Sequence, residues 1–133
     1  MAGAPPELLD AVPLFSGLDA RERAAIAESM KLRSLEPGEA IAVEGEQGVG
    51  FFVIESGTAR VTIGGEERRM LGPGDYFGEI ALISRAPRSA TVTAAMPLRC
   101  WGLTSWEFRP IVQANATVAW SLLESLAKML SER

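Results

Sequence analysis

A chain of 133 residues that is 47% hydrophobic and 23% charged has the size and balance of one soluble globular domain. Its net charge of −4 argues against a dedicated nucleic-acid-binding surface, and with no histidine it lacks the commonest general base and metal ligand. A single cysteine, Cys100, leaves no internal disulfide or iron–sulfur cluster and fits a reducing, cytoplasmic setting.

The opening MAGAPPELLDAVPLF has neither a basic stretch nor a long apolar run, so no signal peptide is expected. No segment approaches the ~20 apolar residues of a membrane span. Residues 1–30 read as helical, with a helix over 7–30 broken between Pro13 and Gly17. Asp19 caps the second piece, with Glu22 as its capping-box partner, and Ile26 and Met30 share one face. From residue 31 to 103 the texture changes to short β-rich runs separated by Gly and Pro turns. Strands are expected at 40–43, 51–54, 59–63, 89–95 and 98–103, with Gly64-Gly65 as a hairpin turn and a further strand leading through Tyr76-Phe77 into the turn at Gly78. Such spacing predicts a mainly β fold, an all-β sandwich or a jelly-roll barrel. Residues 105–133 return to helix: a first from Ser105 to about Ala114, a second capped by Asn115 and running over 116–131. Val118, Leu122, Leu126 and Leu130 give the last helix an apolar stripe that must cover the barrel, a partner subunit or both.

Chemistry concentrates in residues 77–92, FGEIALISRAPRSATV. Gly78 allows close backbone approach, and Glu79 opens a short apolar helical run whose first amides are free to face an anion. Arg88 follows a φ-restricting proline, and Ser89 adds a hydroxyl, so guanidinium, hydroxyl and amides could form a phosphate cradle. Glu79 could accept from a sugar hydroxyl. Gly-bearing turns that open a helix are also common, and an arginine after proline is ordinarily just solvated. On spacing alone both readings stand.

The segment closely resembles the phosphate-binding cassette of cyclic-nucleotide-binding domains, as in protein kinase A regulatory subunits, cyclic-nucleotide-gated channels and catabolite activator-type bacterial regulators. The pattern F-G-E-[IL]-A-L, a short loop and P-R-x-A-[ST] is filled by Phe77-Gly78-Glu79-Ile80-Ala81-Leu82, Pro87-Arg88 and Ala90-Thr91. Val12-Pro13-Leu14-Phe15, Gly45-Glu46 and Gly57-Thr58-Ala59-Arg60-Val61 extend the likeness over nearly the whole chain. It implies one non-catalytic sensor domain over 1–133, a jelly roll flanked by helices, with cAMP or cGMP as ligand and no cofactor. Arg88 would pair with the cyclic phosphate, and Glu79, backed by Gly78, with the ribose 2′-OH. Amides around Ile80, Ala81 and Ala90, with the Ser89 side chain, would complete a cradle that starts at Phe77.

The chain departs from the family's usual polar residue ahead of the first aromatic strand, reading Gly48-Val49-Gly50-Phe51, a change expected to alter a loop rather than the phosphate site. Ser89 does not settle adenine against guanine. Trp120, Leu122, Leu123 and Lys128 are candidates to cap the base, though each reads first as core or surface. Trp101, Trp106 and Trp120 read as packing anchors, Cys100 as a small buried hydrophobe, and Glu66-Glu67-Arg68-Arg69 as a solvated hairpin. The expected output is movement of the last helix as a lid, acting through a homodimer or an effector. Alternatives are an empty jelly-roll scaffold, a cupin-like enzyme that would need histidines, or the sensor fragment of a longer transcription regulator.

Overall fold

The computed structural model describes residues 3–48, 50–84 and 86–132. Val49, part of the departure noted above, lies outside that set. The amino-terminal part is less continuous than expected. It consists of two short 3-10 turns, Pro6–Leu9 and Pro13–Phe15, each begun by a proline, followed by helix α1, Ala20–Glu28. The prolines explain the break: they suit a first turn but cannot donate to a longer helix. Asp19 caps α1 and forms the capping box with Glu22.

Eight strands follow among the described residues: β1 Lys31–Leu35, β2 Ala40–Ala42, β3 Gly50–Ser56, β4 Ala59–Ile63, β5 Glu66–Leu71, β6 Tyr76–Phe77, β7 Thr91–Ala94 and β8 Leu98–Thr104. They form two antiparallel four-stranded sheets, ordered β1-β8-β3-β6 and β2-β7-β4-β5. The jelly roll is therefore a sandwich of two sheets and not a single closed barrel. Only β1 escaped the sequence reading altogether; β5 was implied as the second arm of the Gly64-Gly65 hairpin, and β6 as the strand leading into the turn at Gly78. β1 and β5 are mostly exposed and β6 has only two residues, so none shows an apolar alternation.

The first sheet is apolar on both faces, and its alternation divides two cores. Phe52, Ile54, Leu98 and Cys100 point between the sheets, joined by Val92 and Leu71 from the second sheet. Phe51, Val53, Trp101 and Leu103 point the other way, onto Leu14, Phe15 and Ile26 of the amino-terminal part and onto Phe108, Val118 and Leu122. The last three belong to α2, Ser105–Gln113, and α3, Ala116–Ser131. Asn115 caps α3 by accepting from the Thr117 and Val118 amides. No helix among the described residues is long and apolar enough to cross a membrane.

Candidate functional site

A cavity of about 610 Å³ opens between residues 77–90 and the second sheet, a volume within the usual range for small-molecule sites. Phe77, Gly78, Glu79, Ile80, Ala81, Arg88, Ser89 and Ala90 all line it. The sheet supplies an apolar wall of Ala42, Val61, Ile63, Leu71 and Val92.

The segment is pinned at both ends. Phe77 ends β6 and packs into the core between the sheets, while Leu82 is buried in the other core, beside the helices. Between them Gly78 takes a φ of +84°, which starts the 3-10 turn Glu79–Leu82. That position demands glycine twice over. A Cβ there would sit 2.4 Å from the Gly50 carbonyl oxygen and 2.5 Å from Arg88 Nη1, on a backbone that side chains rarely adopt. The Ala81 amide, expected to face the ligand, donates instead to the Gly78 carbonyl at 3.0 Å. Ala81 lines the cavity, and its N–H closes the turn.

Arg88 is held by the loop before β3. Its amide donates to the Glu46 carbonyl and its carbonyl accepts from the Gly45 amide, both at 2.8 Å. A β-bridge joins Pro87 to Gln47 next to these bonds. Arg88 Nη2 donates to the Gly50 carbonyl at 2.7 Å, and the guanidinium carbon lies 6.0 Å from the Phe77 ring centroid. Gly48 passes directly beneath: a Cβ there would be 2.7 Å from Arg88 Nε. The departure at Gly48 and Gly50 thus reaches the arginine itself, contrary to the expectation that it alters only a loop. Partial burial lowers the Arg88 pKa from its usual value by desolvation, and so high a starting value leaves it charged at neutral pH.

Glu79 lies partly exposed on the same wall, and after burial its charge is the next cause that raises the Tyr76 phenol above its ordinary pKa. Arg68 and Arg69 also line the cavity, although Arg68 keeps an exposed ion pair with Glu66 at 3.6 Å. Both residues are exposed, so the hairpin is solvated as expected, and two of its arginines line the cavity as well. Register accounts for Arg69, which shares a face of β5 with Leu71; Arg68 falls at a register shift in the β4–β5 pairing, which alternation does not anticipate.

The proposed base caps do not reach the site. Trp120, Leu122, Leu123 and Lys128 are absent from the lining; Leu122 is buried in the helical core, while Trp120 and Leu123 are 63% and 56% exposed. Lid action by α3 would require it to give up the packing of Val118 and Leu122. Of the other tryptophans, Trp101 donates its indole N–H to Glu55 at 2.7 Å and Trp106 is exposed. Cys100 is buried, and desolvation pushes its thiol up to about 11, which makes it an inert hydrophobe.

The chain is 52% identical over 88 residues to a cAMP-dependent protein kinase regulatory subunit from Mycosarcoma maydis, covering 63% of the chain and 17% of that protein. It is 42% identical over 88 residues to a cGMP-dependent protein kinase from Toxoplasma gondii, covering 66% of the chain and 9% of that protein. The chain thus spans only a small part of these relatives. A crystal structure of the N-terminal domain of a transcriptional regulator from Streptomyces coelicolor A3(2) superposes with a TM-score of 0.85 at 28% identity, covering 94% of this chain and 93% of that one. The profile of the family described as cyclic nucleotide-binding domain matches residues 32–115, and the chain belongs to that family.

Proposed function

We propose that this chain is a sensor module that binds a cyclic nucleotide, cAMP in preference to cGMP, and performs no catalytic step. The observation that carries the reading is Arg88, a guanidinium pre-positioned on one wall of the cavity that Glu79 also lines. A cyclic phosphate offers the arginine its anionic oxygens, and a ribose 2′-OH offers Glu79 a proton to accept. The 2′-OH contact would favour a ribonucleotide over its deoxy analogue. The apolar wall of Val61, Ile63 and Leu71 suits a purine ring, and Arg68 and Arg69 stand at that wall. Preference for cAMP is supported by the higher identity to the cAMP-dependent regulatory subunit. The output would pass through Leu82, which shares its core with Phe108 of α2 and with Val118 and Leu122 of α3.

Calorimetric titration with cAMP and cGMP, on protein unfolded and refolded to strip carried-over nucleotide, tests the reading. Arg88→Ala should cost ~2–5 kcal/mol, or about one and a half to three and a half orders of magnitude in affinity, because it leaves a phosphate charge poorly paired. Equal affinity in the mutant would remove Arg88 from the site. Failure of well-folded protein to bind either nucleotide would leave the empty scaffold as the better account.

A further inference from the structure

Four side chains form a row along the face of the first sheet that looks into the sandwich. The Arg33 guanidinium carbon lies 5.9 Å from the Phe52 ring centroid. Phe52 stacks on Phe77 with centroids 5.3 Å apart and planes inclined by 28°. Arg88 rests over the far side of the row, 6.0 Å from the Phe77 centroid. Register produces the middle of this row, since Phe52 faces Phe77 across β3 and β6 and faces Gly102 across β3 and β8. Arg33 pairs with Cys100, not with Gly102. It reaches over Gly102 to Phe52 because no side chain stands between.

The glycines around the row are placed to admit it. A Cβ on Gly102 would lie 2.7 Å from the Phe52 ring and one on Gly50 3.2 Å from it. Gly48 and Gly78 clear the corresponding space for Arg88. Glycine inside a strand costs packing and marks a place where another group approaches closely. Here the groups admitted are Phe52 and Arg88.

We propose that Phe52 is a positioning residue for anion binding, acting on Arg88 through Phe77. This rests on the reading that Arg88 receives the phosphate. The Phe52 ring backs Phe77 and sets the platform against which the guanidinium lies, while the Gly50 carbonyl fixes its edge. An arginine already held by a ring face and a carbonyl gives up less rotamer freedom when an anion pins it. Phe52 itself does not line the cavity.

The test is calorimetric titration of the full chain with cAMP for Phe52→Leu, Phe52→Tyr, Arg88→Lys and the double variant that combines Phe52→Leu with Arg88→Lys. Phe52→Leu should weaken binding by ~10-fold, and Phe52→Tyr, which keeps the ring, should bind within ~3-fold of the parent. In the Arg88→Lys background Phe52→Leu should have no further effect. A Phe52→Leu affinity within ~2-fold of the parent, or an equal loss from Phe52→Leu in the Arg88→Lys background, overturns the proposal and leaves Phe52 as core packing. Phe52→Met carries the same test if Phe52→Leu does not fold. If the parent binds no cyclic nucleotide, the functional reading fails and the Arg88 Nε–H resonance decides the positioning role alone. A shift of that resonance in Phe52→Leu, with the Arg99 resonance unmoved, supports it; an unmoved Arg88 resonance overturns it.

Discussion

Gly48→Ala separates holding the fold from holding the arginine. The new Cβ would lie 2.7 Å from Arg88 Nε, 2.8 Å from Cδ and 3.0 Å from Cζ, all atoms of one flexible side chain. Gly48 is not among the glycines with positive φ, so alanine fits its backbone without strain. An ordinary contact needs ~3.5 Å, so the guanidinium must retreat by roughly 0.8 Å and its bond to the Gly50 carbonyl is lost. A ligand must then immobilise a loose arginine, a rotamer cost of up to ~2 kcal/mol, which is ~10–30-fold in Kd. Folding stability should change little. The lost bond is offset by solvation of the freed guanidinium and by the ~0.4–1 kcal/mol that Gly→Ala gains from a less flexible unfolded chain. The melting temperature of the unliganded protein should stay within ~4 °C of the parent. Calorimetry with cAMP and a thermal melt read the two quantities. A Kd within ~3-fold of the parent would show that Arg88 needs no pre-positioning, and a fall of more than ~10 °C would show that it cannot yield.

Two further outcomes test the frame around the site. Phe51 is fully buried and meets Phe15 edge-on at 5.5 Å, so Phe51→Ala should cost ~3–5 kcal/mol in urea unfolding; a loss below ~1.5 kcal/mol would mean the helical core collapses around the gap. Glu55 has its pKa held below the usual 4.5, first by the Trp101 indole N–H and then by Arg99. A depressed folded-state pKa gives stability that is present above 4.5 and lost as pH falls through the folded value. Glu55→Gln should therefore flatten the acid limb of a urea-midpoint against pH curve, and an unchanged limb would mean other carboxyls govern it.

The cassette was legible because its chemistry is contiguous: a glycine, a carboxylate, a proline and an arginine within a dozen residues. The helices at the carboxy terminus were legible for a related reason, with Asn115 marking the start of α3 and apolar residues at helical spacing marking its length. What stayed hidden is non-local. Nothing near Arg88 in the chain says that Gly45, Glu46 and Gly50 hold it, because that pairing is made by the closing of the sandwich. Arg68 and Arg69 are exposed, as read, but a charged hairpin gives no hint of which of its residues also meet a cavity. The base-cap candidates lie away from the cavity: Leu122 packs into the helical core with Val118, whereas Trp120, Leu123 and the stripe's own Leu130 are exposed, so an apolar stripe alone does not say what it covers.

The bonds between the loop at Gly45–Glu46 and Arg88 also couple occupancy of the site to survival of the domain. Residues some forty positions apart meet there only when both sheets are in place, so an unfolded chain has no partial version of the site to offer a ligand. A nucleotide held by Arg88 would then add its full mass-action term to folding, about 2.7 kcal/mol at 100 times Kd. A domain emptied of ligand would be correspondingly easier to unfold and to degrade, so the concentration of the signal would also set the abundance of its receptor.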